Sequence, residues 1–321
     1  MYPEIHYKRD GQQITVCGCY GQDPEVRLPD RIEGLPVTAI AAYAFAQTEE
    51  EKGLSVFRDD ACFRTEKEER LCGGRVTSVA LPDWTERIGN YAFYRCFRLK
   101  ELEFTDSLVD IGGGAFTGCQ LERIRISCRN SQKTCLKQIL EEQRFLLDVR
   151  IRYGSPDGKT QTAHLIFPEH YEEAVENTPA RIVSTQYHGS GGDYRQCIYN
   201  REIRYEEYDA LFEKAKIQET KETAVKIAVA RVTEPYRLGQ RAKEDYAAFI
   251  REECRTAMKI ILSDEDEDVL RILLQERVFQ EMEIKEMLDE TAKAGHTEFT
   301  AILMEAKRKI AHGTKKKSFD L

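Results

Sequence analysis

The chain has 321 residues, 41% of them hydrophobic and 32% charged, and a formal net charge of -8. That length exceeds one comfortable compact core, and the composition excludes intrinsic disorder. The acidic balance argues against sequence-independent binding to nucleic acid, whose phosphates need a dense positive field.

Met1 to Val16 carries Glu4, His6, Lys8, Arg9 and Asp10 and has no continuous apolar core of the signal-peptide kind. No later stretch reaches the ~18 apolar residues of a membrane span. The expectation is a cytoplasmic protein with reduced thiols and no membrane partner. The ten cysteines include no Cys-x-x-Cys pair, and Cys17 and Cys19 stand too close for a zinc knuckle. No metal and no cofactor are expected.

Val26-Arg27-Leu28-Pro29, Ile32, Gly34 to Val37, Ile40 and Ala44-Phe45 open a pattern that returns, more clearly, downstream. Ile88-Gly89-Asn90-Tyr91-Ala92-Phe93-Tyr94-Arg95-Cys96 recurs as Ile111-Gly112-Gly113-Gly114-Ala115-Phe116-Thr117-Gly118-Cys119, 23 positions later at Ile, Gly, Ala, Phe and Cys alike. Val76 to Leu81 and Leu99 to Phe104 precede these blocks, again 23 apart, and Leu121, Ile124 and Ile126 repeat the pattern with one residue deleted. The period is that of a leucine-rich repeat. In Leu99-x-x-Leu102-x-Phe104, Leu102 and Phe104 alternate as on a strand and face inward, while Glu101 and Glu103 face out. Glycine permits a tight bend on the return path, and phenylalanine and cysteine fill the space between layers, so Cys96 and Cys119 are core residues. About 25 extra residues, many charged and including Glu49 to Glu51 and Glu66 to Arg70, are inserted at about 47–75. They read as an edge loop or a docking finger.

The phrases Gly34-Leu35-Pro36-Val37-Thr38-Ala39-Ile40, Ile88 to Phe93 and Ala115-Phe116-Thr117-Gly118-Cys119 resemble the BspA-like leucine-rich repeat family of bacteria, over roughly residues 14 to 127. The resemblance implies a solenoid of about four repeats that binds other proteins or surfaces, and it carries no catalytic residues. If the strands line a concave face as in related solenoids, the partner-binding positions are Arg27, Ser78, Ala80, Glu101, Glu103, Arg123 and Arg125. That row turns from acidic to basic along the stack, which favours a protein partner over a polyanion. The plain alternative is a solvated surface.

Cys135 to Leu140 reads as a helical cap on the last apolar layer. Leu147 to Tyr153, Thr160 to Phe167, Arg181 to Tyr187 and Tyr194 to Tyr199 alternate as strands, separated by Ser155 to Gly158, by Pro168 and by Gly189 to Asp193. From Tyr205 the period becomes helical. Ala224 to Val232 forms one segment, and Tyr246, Phe249, Ile250, Cys254, Ala257, Met258 and Ile261 mark one face of a long helix. Ser263-Asp264 begins another, and the stretches near Ile284 to Ala294 and Thr297 to Ala306 form a helix pair. Residues 292–305 resemble half of an ankyrin-type unit. Gly189 to Gly192 lacks the lysine and hydroxyl of a phosphate loop and reads as a β-turn. Asp264 to Asp268 lacks the spacing of a calcium loop and reads as a helix start. Lys315 to Lys317 forms a solvated basic run.

The fold class is therefore α+β and multidomain: a short leucine-rich-repeat solenoid, a small β-rich connector and an α-helical repeat-like domain. The boundaries are 1–140 for the repeats with the 47–75 insertion and the cap, 141–203 for the connector, 204–312 for the helices and 313–321 for a basic tail. The expected function is a protein-interaction scaffold without catalysis. The rivals are an enzyme with its site in the connector around His164, His170 and His188, and a cell-surface adhesin if an N-terminal signal is missing.

Overall fold

The computed structural model describes residues 2–49, 51–59, 69–154, 158–177 and 182–315. The chain divides into two units, Met1–Arg204 and Tyr205–Leu321.

The first unit opens with a hairpin of β1 (Glu4–Asp10) and β2 (Gln13–Gly21), turned at Gly11, which has φ 59°. The chain then proceeds through β3 (Glu25–Arg27), β4 (Arg31–Ile32), β5 (Leu35–Ile40), β6 (Ser55–Phe57), β7 (Glu69–Arg70), β8 (Ser78–Ala80), β9 (Arg87–Ile88), β10 (Glu101–Thr105), β11 (Asp110–Ile111) and β12 (Arg123–Cys128). Helix α1 (Leu136–Glu142) follows, then β13 (Leu147–Gly154) and β14 (Thr160–Phe167). Successive rungs alternate between two sheets, ordered β11-β9-β5-β2-β1-β6 and β14-β13-β12-β10-β8-β3. Pairing is parallel from β2 through β5 and β9 to β11, and from β3 through β8, β10 and β12 to β13. This is a β-solenoid. Antiparallel partners close its ends, β1 on the first sheet and β14 on the second.

The repeat residues do different jobs at each rung. Phe45, Phe93 and Phe116 stack with ring centroids 4.9 and 5.3 Å apart, one rung spacing each. A Cβ on Gly89 would lie 2.3 Å from Ala42 N, and one on Gly112 would lie 2.4 Å from Asn90 N, so glycine serves close backbone approach there rather than a bend. A left-handed residue stands before each Ala-Phe pair: Tyr43 (φ 59°), Tyr91 (φ 55°) and Gly114 (φ 68°). Aspartates tie corners across rungs: Asp30 Oδ1 accepts from Asp83 N at 2.8 Å, and Asp106 accepts from Arg129 N at 3.0 Å and Asn130 N at 2.7 Å.

Several expectations are corrected. The expected connector does not stand apart, because β13 continues the parallel ladder of β12 and β14 closes that sheet. The insertion is more than a loop: β6 pairs with β1 and β7 with β2, while residues 60–68, which hold most of the charged stretch Glu66 to Arg70, lie outside the described residues. Beyond β14 come the hairpin β15 (Tyr171–Asn177) and β16 (Ile182–His188), helix α2 (Gly191–Gln196), β17 (Ile198–Tyr199) and β18 (Glu202–Ile203). Thus 194–196 is the end of a helix and only Ile198 and Tyr199 are strand, and Gly191 begins that helix instead of a β-turn. A Cβ there would lie 2.1 Å from Glu169 O, so only glycine lets the helix start against that carbonyl. Of the expected turn at Ser155 to Gly158, residues 155–157 lie outside the described residues.

The second unit consists of α3 (Tyr205–Ala210), α4 (Phe212–Gln218), α5 (Lys221–Thr233), α6 (Gln240–Glu252), α7 (Cys254–Ser263), α8 (Glu267–Gln275), α9 (Glu281–Ala294) and α10 (Thr297–Lys315). The single long helix expected across Tyr246 to Ile261 is two, broken at Glu253. The next helix is capped by Asp266, whose carboxylate accepts from Val269 N at 3.0 Å, and not by Ser263-Asp264. Helix α5 is the central one, with Ala224, Val225 and Ile227 to Val232 buried. Lys316 and Lys317 lie outside the described residues.

Candidate functional site

Strands β3, β8, β10, β12 and β13 of the second sheet alternate buried and outward residues, whereas Ala163 to Phe167 of β14 are all buried. Val26, Val79, Leu102, Ile124, Val149 and Leu165 form one inward ladder in unbroken register. Burying apolar side chains at ~25 cal/mol per Å² makes a one-residue slip prohibitive, since it would turn every inward residue out. The outward side chains are therefore fixed in rows.

One row reads Glu25, Ser78, Glu101, Arg123, Asp148; its neighbour reads Arg27, Ala80, Glu103, Arg125, Arg150, His164. All seven residues named from the sequence lie in these two rows. The structure adds Glu25, Asp148, Arg150 and His164, and a shorter row of Thr105, Ser127, Arg152 and Thr162 beside them. The alternation Asp148-Val149-Arg150-Ile151-Arg152 copies Arg123-Ile124-Arg125-Ile126-Ser127, a signal obscured by a spacing of 25 instead of 22 or 23.

Charge along the face is partly internal. Arg123 places Nε and Nη2 on Glu101 Oε1 at 2.9 and 2.5 Å, and Arg125 Nη1 reaches Glu101 Oε2 at 3.7 Å. The hydrogen bond that Arg123 donates to Glu101 holds the guanidinium pKa above its usual value. His164 Nε2 lies 2.8 Å from Asp148 Oδ1. Burial works to raise the Asp148 pKa, but the His164 bond and charge, with Arg150 and Arg123, outweigh it and hold the carboxyl below its ordinary value. Among the described residues, Arg27, Glu103 and Arg152 have no ion-pair partner.

The three connector histidines are each engaged by a different carboxylate: His164 by Asp148, His170 by Glu172 at 2.9 Å and His188 by Glu173 at 3.3 Å. Among the described residues there is no group of three or more His, Cys, Asp or Glu placed to hold a metal ion. No described helix is long and apolar enough to cross a membrane.

No curated protein and no solved structure matches the chain. Residues 69–152 match the family described as BspA type Leucine rich repeat region (6 copies), a span that runs from β7 through most of β13 and so includes the first strand of the expected connector. The stretch of chain that builds most of this face is thus similar to BspA-type leucine-rich repeats.

Proposed function

We propose that the protein is an interaction scaffold that holds a protein partner on the outward face of the second sheet and catalyses nothing itself. The carrying observation is the pair of outward rows. Five parallel strands present polar side chains at a fixed ~4.8 Å spacing, a ruled surface that a partner can meet over several rungs. The separate engagement of His164, His170 and His188 supports a scaffold over an enzyme. Cys96, Cys119 and Cys135 serve as hydrogen-bond donors to carbonyls, which fits a reducing compartment and supports a cytoplasmic placement.

Photo-crosslinking residues at Ser78, Glu103 and Arg125, compared with one at Arg87 on the other sheet, test this reading. The expected result in native lysate is one discrete protein adduct from all three face positions, competed away by unlabelled protein and absent from Arg87. No adduct from the face, or an equal one from Arg87, refutes it.

A further inference from the structure

Helices α8, α9 and α10 of the helical unit enclose a groove of about 830 Å³. Its base is apolar, with Phe279 between α8 and α9 and Ile284 of α9 both buried. Its walls are Leu274 of α8 and Ile302, Ala306 and Ile310 of α10. The α10 residues recur every four positions, so one stripe leads from buried Ile302 to Ile310, which is 37% exposed. Eight residues of helix give that stripe a length of about 12 Å.

Most charges at the rim are matched within the unit. Arg271 Nη2 lies 3.1 Å from Glu267 Oε2, and Lys309 Nζ lies 2.7 Å from Glu305 Oε1. Arg277 also lines the groove, is exposed and, among the described residues, has no ion-pair partner. Its neighbour Glu276 is taken by Lys243 at 2.6 Å. Arg277 stands just past the end of α8 with φ 56°, a position that glycine fills at least cost. An apolar cleft therefore carries one spare positive charge at its mouth.

We propose that this groove binds an amphipathic monocarboxylate, an acyl chain lying along the α10 stripe with its carboxylate on Arg277. The site lies in the helical unit and does not rest on the scaffold reading. The volume falls within the ~300–1,000 Å³ of small-molecule sites, which are mostly apolar with a few placed polar groups. A stripe of about 12 Å suits a chain of roughly ten carbons. The planar guanidinium meets a carboxylate at two points. An acid-rich peptide fits less well, because one free base would face several acids and Glu267 and Glu305 would repel the remainder. A basic segment brings the wrong sign to Arg277.

The test uses the full chain with 13C-labelled isoleucine methyls, titrated with hexanoate, octanoate and decanoate below their micelle thresholds. The methyls of Ile284, Ile302 and Ile310 are expected to shift, and those of Ile124 and Ile126 in the solenoid to stay. Each added pair of carbons should tighten binding by up to about tenfold. Arg277→Gly should weaken decanoate about tenfold and change decanol, which lacks the charge, less than about twofold. Its thermal unfolding should be unchanged or raised, since glycine tolerates the left-handed backbone, and this separates recognition from a structural role. Arg237→Gly, at another left-handed arginine of the unit (φ 51°), should leave binding unchanged. Ala306→Phe, which fills the groove, should abolish the shifts from decanoate and decanol alike. The proposal is overturned by shifts spread evenly over both units, by affinity independent of chain length, or by equal decanoate binding in Arg277→Gly. Shifts of the same methyls at lower concentration by an acidic amphipathic helical peptide, or by phosphatidylglycerol vesicles, also overturn it.

Discussion

Gln143 Nε2 donates to the Phe116 carbonyl at 3.1 Å, the bond that Cys96 Sγ makes to Phe45 O at 3.3 Å and Cys119 Sγ makes to Phe93 O at 3.1 Å. The glutamine thus occupies the place of the next repeat cysteine at the rung where the stack ends. Its Oε1 accepts from Leu121 N at 3.2 Å, and Glu142 Oε2 accepts from Phe116 N at 2.7 Å. In the inner rungs, Phe45 N and Phe93 N donate instead to Ala92 O and Ala115 O of the following rung. Helix α1 closes the solenoid by giving these orphan backbone groups side-chain partners.

Replacing Gln143 by Leu keeps most of the volume and strips the partners from two buried backbone groups. A loss of about 2–4 kcal/mol is expected, with faster hydrogen exchange at the Leu121 amide. Urea unfolding and exchange measured beside Glu141→Gln, an exposed neighbour on the same helix, check this. An unchanged Leu121 amide would contradict the capping role.

Arg231 sets the same kind of test in the helical unit. Its side chain is 0% exposed and its Nε and Nη2 lie 2.8 and 3.0 Å from the two oxygens of Asp209, which also accepts from Tyr246 Oη at 2.9 Å. Removing one partner leaves a buried charge uncompensated, so Asp209→Ala should cost about 3–5 kcal/mol. The double variant Asp209→Leu with Arg231→Met should recover most of that loss, because no lone charge remains. A double variant as unstable as the single would mean that Arg231 contributes mainly by packing over Tyr205, whose ring centroid is 5.4 Å from its guanidinium carbon.

The repeat glycines separate two uses of one residue type. Gly112→Ala drives a Cβ to 2.4 Å from Asn90 N, a backbone atom of the preceding rung, whereas a Cβ on Gly113 meets nothing within 4 Å. Gly112→Ala should therefore cost about 1–3 kcal/mol or more, and Gly113→Ala should be neutral or stabilise by about 0.4–1 kcal/mol through the unfolded chain. Thermal unfolding of the two variants in parallel decides it. Similar destabilisation by both would show that the clash argument fails.

What was legible in the sequence was whatever repeats. Five identities at a shift of 23 exposed the rung, and alternation exposed the face with Arg27, Ser78, Ala80, Glu101, Glu103, Arg123 and Arg125 on it. Helix α1, inserted between β12 and β13, stretched the next spacing to 25 and made a further rung resemble a separate connector. The break at Glu253 was hidden because its backbone, φ -98° and ψ 34°, barely disturbs the helical phase of Phe249, Ile250, Cys254 and Ala257. Asp209 and Arg231, 22 residues apart, carry no local signal in the sequence, since nothing nearby marks a pair that only tertiary packing buries.

The thiol ladder makes the last prediction. Burial pushes the Cys96 thiol up to about 12, and Cys119 is raised further by burial and by Cys96 beside it. Burial also raises Cys128 to about 12. In the unfolded chain these thiols ionise near pH 8.5–9. Above that, the unfolded state has released protons that the folded state still holds, so stability must fall as pH rises from about 9 toward about 12, by up to about 1.4 kcal/mol per pH unit for each such thiol. Urea unfolding at pH 8, 9.5 and 10.5 should show this decline, and Cys96→Ala should make it shallower even though the variant is less stable at pH 8. The comparison between the two proteins cancels the tyrosines and lysines that titrate in the same range. At pH 8 the partly exposed Cys72 should react with a disulfide reagent in the folded state while Cys96 and Cys119 react only on unfolding. Rapid modification of Cys96 in the folded protein would show that the solenoid opens locally and that its thiols are not locked in the core.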